Sequence, residues 1–402
     1  MPRRDSDSIT VPDFRGIGSP SPVAERLPSY PSDPGENGVR NSLAMSPTLS
    51  VVLPNYNHAK FIGRALAALL GQERAADEII VIDDGSTDDS VAVIDRIAAT
   101  APTIRLLRNP GNIGVIPTLQ RGLEAARGKY VYFAASDDWT FPHFFALALR
   151  RLEADPGLGL FCGEAILADG RTNRPFAVRP AVRPRMSAGP VGAAAVAALL
   201  RSTDNWILTG SAVFRRQCVA WAGGFDARLT TSADGLMARK IALRYGLYFE
   251  PRMVAAWMVY PDSVSRQTAR DLEQSRYTLE NIPRLIAADS GFPPWYAELF
   301  RSRWRFAACR LALQAEPIDR DVVLELGARS AAERTQFAAI MGRLPRQPAR
   351  LVILARLWYR LRPTSLFALL RTMLAMRRLR LALRFRSGQI PGMTAAPAPG
   401  DA

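Results

Sequence analysis

Residues 49–57 read Leu-Ser-Val-Val-Leu-Pro-Asn-Tyr-Asn, and residues 78–88 read Glu-Ile-Ile-Val-Ile-Asp-Asp-Gly-Ser-Thr-Asp. Each stretch opens on a short, β-branched apolar run and closes on a polar turn. A run that is apolar at nearly every position predicts a strand buried on both faces. Between the two runs, Phe61, Ile62, Ala65, Leu66 and Leu69 fall at helical spacing over Ala59–Leu70. Two buried strands joined by a helix predict a βαβ unit.

Working outward, the alternation continues. Ser90–Ala99 reads as a helix, Thr103–Leu107 as a strand, Ile113–Ala126 as a helix, Lys129–Ala134 as a fourth strand and Phe141–Leu152 as a helix. This pattern predicts an α/β fold with a doubly wound, mainly parallel sheet. Further strands are expected at Leu158–Cys162, Ser211–Phe214, Tyr248–Pro251 and Val254–Val259, with a helix at Gly235–Tyr245. Arg171–Pro190, rich in proline and arginine, reads as a loop. From Arg270 onward helical spacing dominates and predicts an all-helical annex.

The 402 residues are 48% hydrophobic and 22% charged, enough for a sizeable core. Cys162, Cys218 and Cys309 form no CxxC pair, so neither a disulfide framework nor a zinc site is expected. With only His58 and His143 present, carboxylates must carry most acid–base and metal chemistry. His58 follows the first motif and either faces the site or, the commoner case, stands at solvent or a helix start, and His143 reads as structural. Residues 1–46, rich in Pro, Ser, Gly and charge, read as a disordered tail rather than a signal peptide. No run of about 18 uncharged apolar residues predicts a membrane span.

In a parallel sheet, ligands bind beyond the carboxyl ends of the strands. Three strand ends here carry polar or acidic groups: Pro54-Asn55-Tyr56-Asn57, Asp83-Asp84-Gly85-Ser86-Thr87-Asp88 and Ser136-Asp137-Asp138. Each alone also suits a turn and a helix cap. A cap needs one acceptor, however, and two adjacent carboxylates repel unless a cation offsets them. Mg²⁺ or Mn²⁺ takes one or two carboxylates plus phosphate oxygens, so the rim reads as a metal-bridged diphosphate site. Neither a GxxxxGK[ST] loop nor a GxGxxG turn is present, which excludes a glycine phosphate cradle.

Taken in order and spacing, these segments resemble family 2 glycosyltransferases of the GT-A fold. Asn112-Ile113-Gly114, Ala126–Tyr130, Gly223-Gly224-Phe225-Asp226 and Asp234 extend the likeness to about residues 49–266. The resemblance implies that Pro54 and Tyr56 line a nucleotide base, Tyr56 against uracil, with Asn57 also at the nucleotide sugar. It implies that Asp84 bonds the base or ribose, Asp137 the ribose or sugar, and that Asp138 ligates a divalent metal, Mn or Mg. Asp234 falls at the position of the catalytic base, where the family usually has a Glu-Asp pair and this chain has Ala233-Asp234. Trp257–Ser265 resembles a late segment that often carries a histidine; none stands here. The implied activity is transfer of a sugar from a nucleotide sugar, expected to be a UDP-sugar, to a hydroxyl on a glycan or lipid-linked acceptor. The implied stereochemistry is inversion. The alternative is a non-catalytic, membrane-associated binding protein on a decayed transferase fold, favoured by Ala233 and the missing histidine and opposed by Asp84, Asp137 and Asp138.

The net charge of +15 is concentrated near the C-terminus. From Arg343 to Arg386 there are twelve arginines and no Asp or Glu. Residues 343–388 therefore read as basic amphipathic helices suited either to an anionic membrane surface or to packing on the annex, 267–342. No nucleic-acid motif accompanies the charge, so no nucleic-acid partner is expected. Residues 389–402 read as a second disordered tail. The expected location is cytoplasmic, peripheral at the inner membrane face.

Overall fold

The computed structural model describes residues 48–203, 207–260 and 270–374. The two terminal tails, Trp206 (which the sequence places before Thr209-Gly210-Ser211, where an acceptor pocket could form), residues 261–265 of the late segment and residues 375–388 lie outside them. Strand β1 (Leu49–Asn55) shows why the apolar runs decide the fold. Leu49, Val51 and Leu53 enter one hydrophobic cluster and Val52 enters another, all of them fully buried. Strands β2 (Glu78–Asp83) and β4 (Tyr130–Phe133) divide their side chains in the same alternating way. Period-two alternation with both faces dry is what helices on both sides of a sheet require.

Helices α1 (Ala59–Leu70), α2 (Ser90–Ala98) and α4 (Phe144–Ala154) cover one face. Helix α3 (Val115–Ala125) begins the cover of the other. Strands β1, β2, β3 (Ile104–Arg108) and β4 are mutually parallel, in the order β3-β2-β1-β4. The order reverses at β1, which lies between β2 and β4.

Beyond β4 the sheet becomes mixed. A two-residue strand, β5 (Trp139–Thr140), precedes α4, which therefore starts at Phe144 rather than Phe141. Strand β6 (Leu160–Asp169) follows. The segment expected to be a loop, Arg171–Pro190, contains β7 (Pro175–Arg179) and reaches β8 (Gly189–Val191). Proline and arginine hid these strands: β7 is held by antiparallel pairing to the preceding strand β6, and β8 by pairing to a strand near residue 248, distant in sequence. Helix α5 (Ala193–Ser202), strand β9 (Ala212–Arg215), helix α6 (Arg216–Ala222) and helix α7 (Ala233–Tyr245) come next. The two strands expected at Tyr248–Pro251 and Val254–Val259 are one, β10 (Leu247–Val259), parallel to β6 with register shifts around Met253. Bulges there interrupt the alternation that sequence reading relies on.

The annex is helical: α8 (Leu272–Ala288), α9 (Tyr296–Ala312), α10 (Ala331–Arg343) and α11 (Arg346–Leu361). Ile282, Ile286, Tyr296 and Phe300 join the cluster on the second sheet face. Cys309, Ala312, Phe337, Met341, Ile353 and Leu357 form a separate annex core. The apolar side of α11 is thus closed by the annex, and its Arg360 pairs with Glu333 at 2.9 Å. The three cysteines are free and buried.

Candidate active site

The carboxyl ends of β1 and β2 are knitted together by short polar side chains. Asn55 Nδ2 donates to Asp83 Oδ1 at 3.0 Å, and Asp83 also accepts from the Ser86 amide at 3.0 Å and the Ser86 hydroxyl at 2.6 Å. Asp83, 1% exposed, is a turn-former. Asn57, at φ 51°, accepts from the Thr87 amide at 2.8 Å, and its own amide donates to Ser86 Oγ at 2.9 Å. Its side chain, expected at the nucleotide sugar, is committed to holding the two loops together. Tyr56 beside it is 41% exposed, and Pro54 is half-buried.

Asp84 is buried and takes three donors: Asn109 Nδ2 at 2.7 Å, the Ile113 amide at 2.9 Å and the Gly114 amide at 2.9 Å. A carboxylate offers about four lone-pair positions, so roughly one is left for a ligand. The same contacts pin the β3–α3 loop over the strand tip. Gly85, at φ +75°, allows this approach: an added Cβ would lie 2.7 Å from the Gly111 backbone.

The acidic loop after β4 is fixed from three sides. His58 Nδ1 and Ser136 Oγ are hydrogen-bonded at 2.5 Å. Arg64 of α1 donates to the Asp137 carbonyl at 2.9 Å. Asp138 Oδ1 accepts from the Met258 amide at 2.8 Å, tying the loop to the end of β10. Burial raises the Asp137 carboxyl above its ordinary pKa, with His58 and Arg64 opposing. Burial pushes Asp138 well above the carboxylate range, and the neighbouring Asp137 charge adds to the shift. Two adjacent, desolvated carboxylates are thus held where each disfavours the other's charge.

Asp234 opens helix α7 and reaches the same rim. Its Oδ2 accepts from Thr209 Oγ1 at 3.0 Å. The next residue, Gly210, sits so close to the acidic loop that an added Cβ would lie 3.9 Å from Asp138 Oδ2. Its carbonyl accepts from the buried Tyr132 hydroxyl at 3.1 Å. The turn Thr209–Ser211 therefore links Asp138 to Asp234. Ala233 faces the hydrophobic core, so Asp234 is the carboxylate that this helix start offers to the rim. His143, bonded to the Met253 carbonyl at 2.9 Å, is structural.

Sequence reading did not single out Arg64 or the Met258 amide, and it named Thr209 and Gly210 only as the segment after Trp206. Arg64 lies on the first helix at ordinary spacing, and the others act through backbone atoms or contacts spanning tens of residues. Among the described residues, no three His, Cys, Asp or Glu side chains gather to hold a metal by themselves. Asp138, with Asp137 adjacent, fits a hard cation that completes its shell with substrate oxygens.

The family model described as glycosyl transferase family 2 matches residues 50–181. An uncharacterized protein of Mycobacterium tuberculosis is 32% identical over 246 residues, covering 58% of this chain and 73% of the relative. The succinoglycan biosynthesis protein ExoO of Rhizobium meliloti is 28% identical over 254 residues, 62% of this chain and 69% of ExoO. Among solved structures, Staphylococcus aureus TarS residues 1–349 in complex with UDP-GlcNAc superposes with a TM-score of 0.52 at 12% identity. That match covers 78% of this chain and 91% of TarS 1–349, and it shows the fold to be of the same type. The chain belongs to glycosyl transferase family 2 and is a glycosyltransferase.

Proposed function

We propose that the rim from Pro54 to Asp138 binds a UDP-sugar with a divalent metal, and that Asp234 is the base that activates the acceptor hydroxyl. The observation that carries this reading is the turn Thr209–Ser211, which bonds Asp234 through Thr209 and approaches Asp138 through Gly210. Tyr56 supplies an exposed ring for the base to stack on. Asp84 keeps one acceptor position for a base or ribose donor while its other bonds hold the β3–α3 loop over the strand tip. Asp137 stands next to the metal ligand, where a ribose or sugar hydroxyl can reach it. When bound, Mn²⁺ or Mg²⁺ held by Asp138 supplies charge that stabilises the leaving diphosphate.

Asp234 takes the proton from the attacking hydroxyl as its oxygen bonds to the anomeric carbon and the diphosphate departs. One displacement at that carbon inverts its configuration. Thr209, donating to Oδ2, orients the carboxylate. The acceptor is a hydroxyl of a glycan or lipid-linked glycan, in keeping with ExoO, a succinoglycan biosynthesis protein, among the relatives. UDP as the nucleotide is in keeping with the TarS complex with UDP-GlcNAc.

Two variants test the assignment. Asp138→Asn is expected to lose the heat of UDP binding that depends on Mn²⁺ in calorimetry. Asp234→Asn is expected to bind UDP with Mn²⁺ normally and to lose transfer by roughly 10²–10⁴-fold, the usual contribution of a general base. Metal-dependent binding retained in Asp138→Asn, or transfer retained in Asp234→Asn, removes the corresponding role.

A further inference from the structure

The helix over residues 366–374 carries its apolar side outward. Leu366, Phe367, Leu370, Met373 and Leu374 are 57% to 71% exposed and fall at helical spacing along one stripe. The opposite side is fastened to the protein. The Ser365 amide donates to the Ser202 carbonyl at 2.9 Å, and Arg371 donates to the Arg183 carbonyl at 2.6 Å. The Arg303 guanidinium donates to the Pro363 carbonyl at 2.9 Å, and Ala368 is buried. An anchored helix with five large apolar side chains in water is a surface awaiting an occupant.

We propose that this stripe docks the enzyme on an anionic lipid bilayer. Charge selects the occupant: twelve arginines and no carboxylate lie between Arg343 and Arg386. In the described part, cations flank exposed aromatic rings. Arg362 lies over Tyr359 at 5.7 Å and Arg371 over Phe367 at 5.8 Å. Apolar side chains that enter the acyl boundary while guanidiniums stay at the phosphates make up an interfacial helix. A second copy of this chain would bring the same positive segment against itself in a two-fold contact. Nucleic acid would satisfy the arginines and leave the apolar stripe wet.

The structure also divides the basic region. Helix α11 buries its apolar side in the annex core through Ile353 and Leu357. The stripe at 366–374 is therefore the docking element, and α11 is its support. Each arginine near an anionic surface adds roughly fivefold in affinity at low salt.

Flotation of the full chain with lipid vesicles tests the proposal. Binding to vesicles of phosphatidylcholine mixed with phosphatidylglycerol is expected to exceed binding to phosphatidylcholine alone by about tenfold or more. Binding is expected to fall away in 1 M salt, where the screening length is about 3 Å. The double variants F367E/L370E and F367S/L370S are each expected to lose about tenfold or more of it. Both positions are exposed, so thermal stability and its response to UDP stay unchanged. The serine pair separates lost apolar contact from added negative charge. Equal binding to both vesicle types, absence of binding, or full binding by the serine pair overturns the proposal. So does a wild-type dimer in light scattering that F367S/L370S converts to a monomer.

Discussion

Asp138 is held in place against electrostatic resistance. Its Oδ1 accepts from the Met258 amide, its neighbour Asp137 is also acidic, and burial raises both carboxyls. A carboxyl with a raised folded-state pKa binds more protons folded than unfolded between its unfolded and folded values. Metal-free stability therefore falls as pH rises through that window, which starts near the ordinary aspartate value of 3.8. Asp138→Asn keeps the acceptor for Met258 and removes the charge. The variant is expected to melt a few degrees higher than the metal-free parent at neutral pH, at roughly 2–4 °C per kcal/mol. The gain is expected to shrink toward pH 4 and to disappear against a parent saturated with UDP and Mn²⁺. A melting scan across pH checks this; an unchanged or lowered midpoint at neutral pH contradicts it. The acidic residues were legible in the sequence because adjacent carboxylates after an apolar run have no simple structural use. Asn57 was legible as a loop residue, but its role was not, since only the fold shows its Oδ1 taken by Thr87. Arg64 was illegible because nothing local marks a helix arginine that reaches a loop 73 residues away.

At the scale of elements, the parallel half was readable because its periods are local and uninterrupted. Strands β1 and β2 bury both faces, and α1 buries Ile62, Ala65, Leu66 and Leu69 on one side. Strands β7 and β8 were not readable, since their pairing partners on β6 and β10, rather than their own composition, hold them extended. The fit between layers is tightest at Gly122 of α3. An added Cβ there would collide with Val52 Cγ1 and lie 2.6 Å from Ile82 Cδ1. Both contacts are in the core, so α3 must lift off the sheet or the side chains must leave their rotamers. Gly122→Ala is expected to destabilise the fold by about 1–3 kcal/mol despite the better helix propensity of alanine. Denaturant unfolding measures this, and a stabilised variant would mean that the helix yields freely.

At the scale of the whole described chain, the annex is more than an appendage. Helices α8 and α9 each serve two cores. Ile282, Ile286, Tyr296 and Phe300 pack with the sheet, while Leu279, Ala308, Cys309 and Ala312 pack with α10 and α11. A helix that belongs to both clusters cannot leave one without exposing part of the other. Ile353→Ala removes apolar volume from the annex core, far in sequence from the catalytic rim. It is expected to cost about 2–5 kcal/mol. Because the helices are shared, that loss should lower the midpoint of one common transition in calorimetry. On the proposed reading UDP with Mn²⁺ binds at the rim alone, yet it should raise the same midpoint by mass action, in the variant as in the parent. Two resolved transitions, one moved only by Ile353→Ala and the other only by UDP, would show that the shared helices do not couple the cores. If one transition responds to both, the annex helps set the working stability of the donor site, and the docking helix at 366–374, fastened to Ser202 and Arg183, is carried on the same cooperative unit.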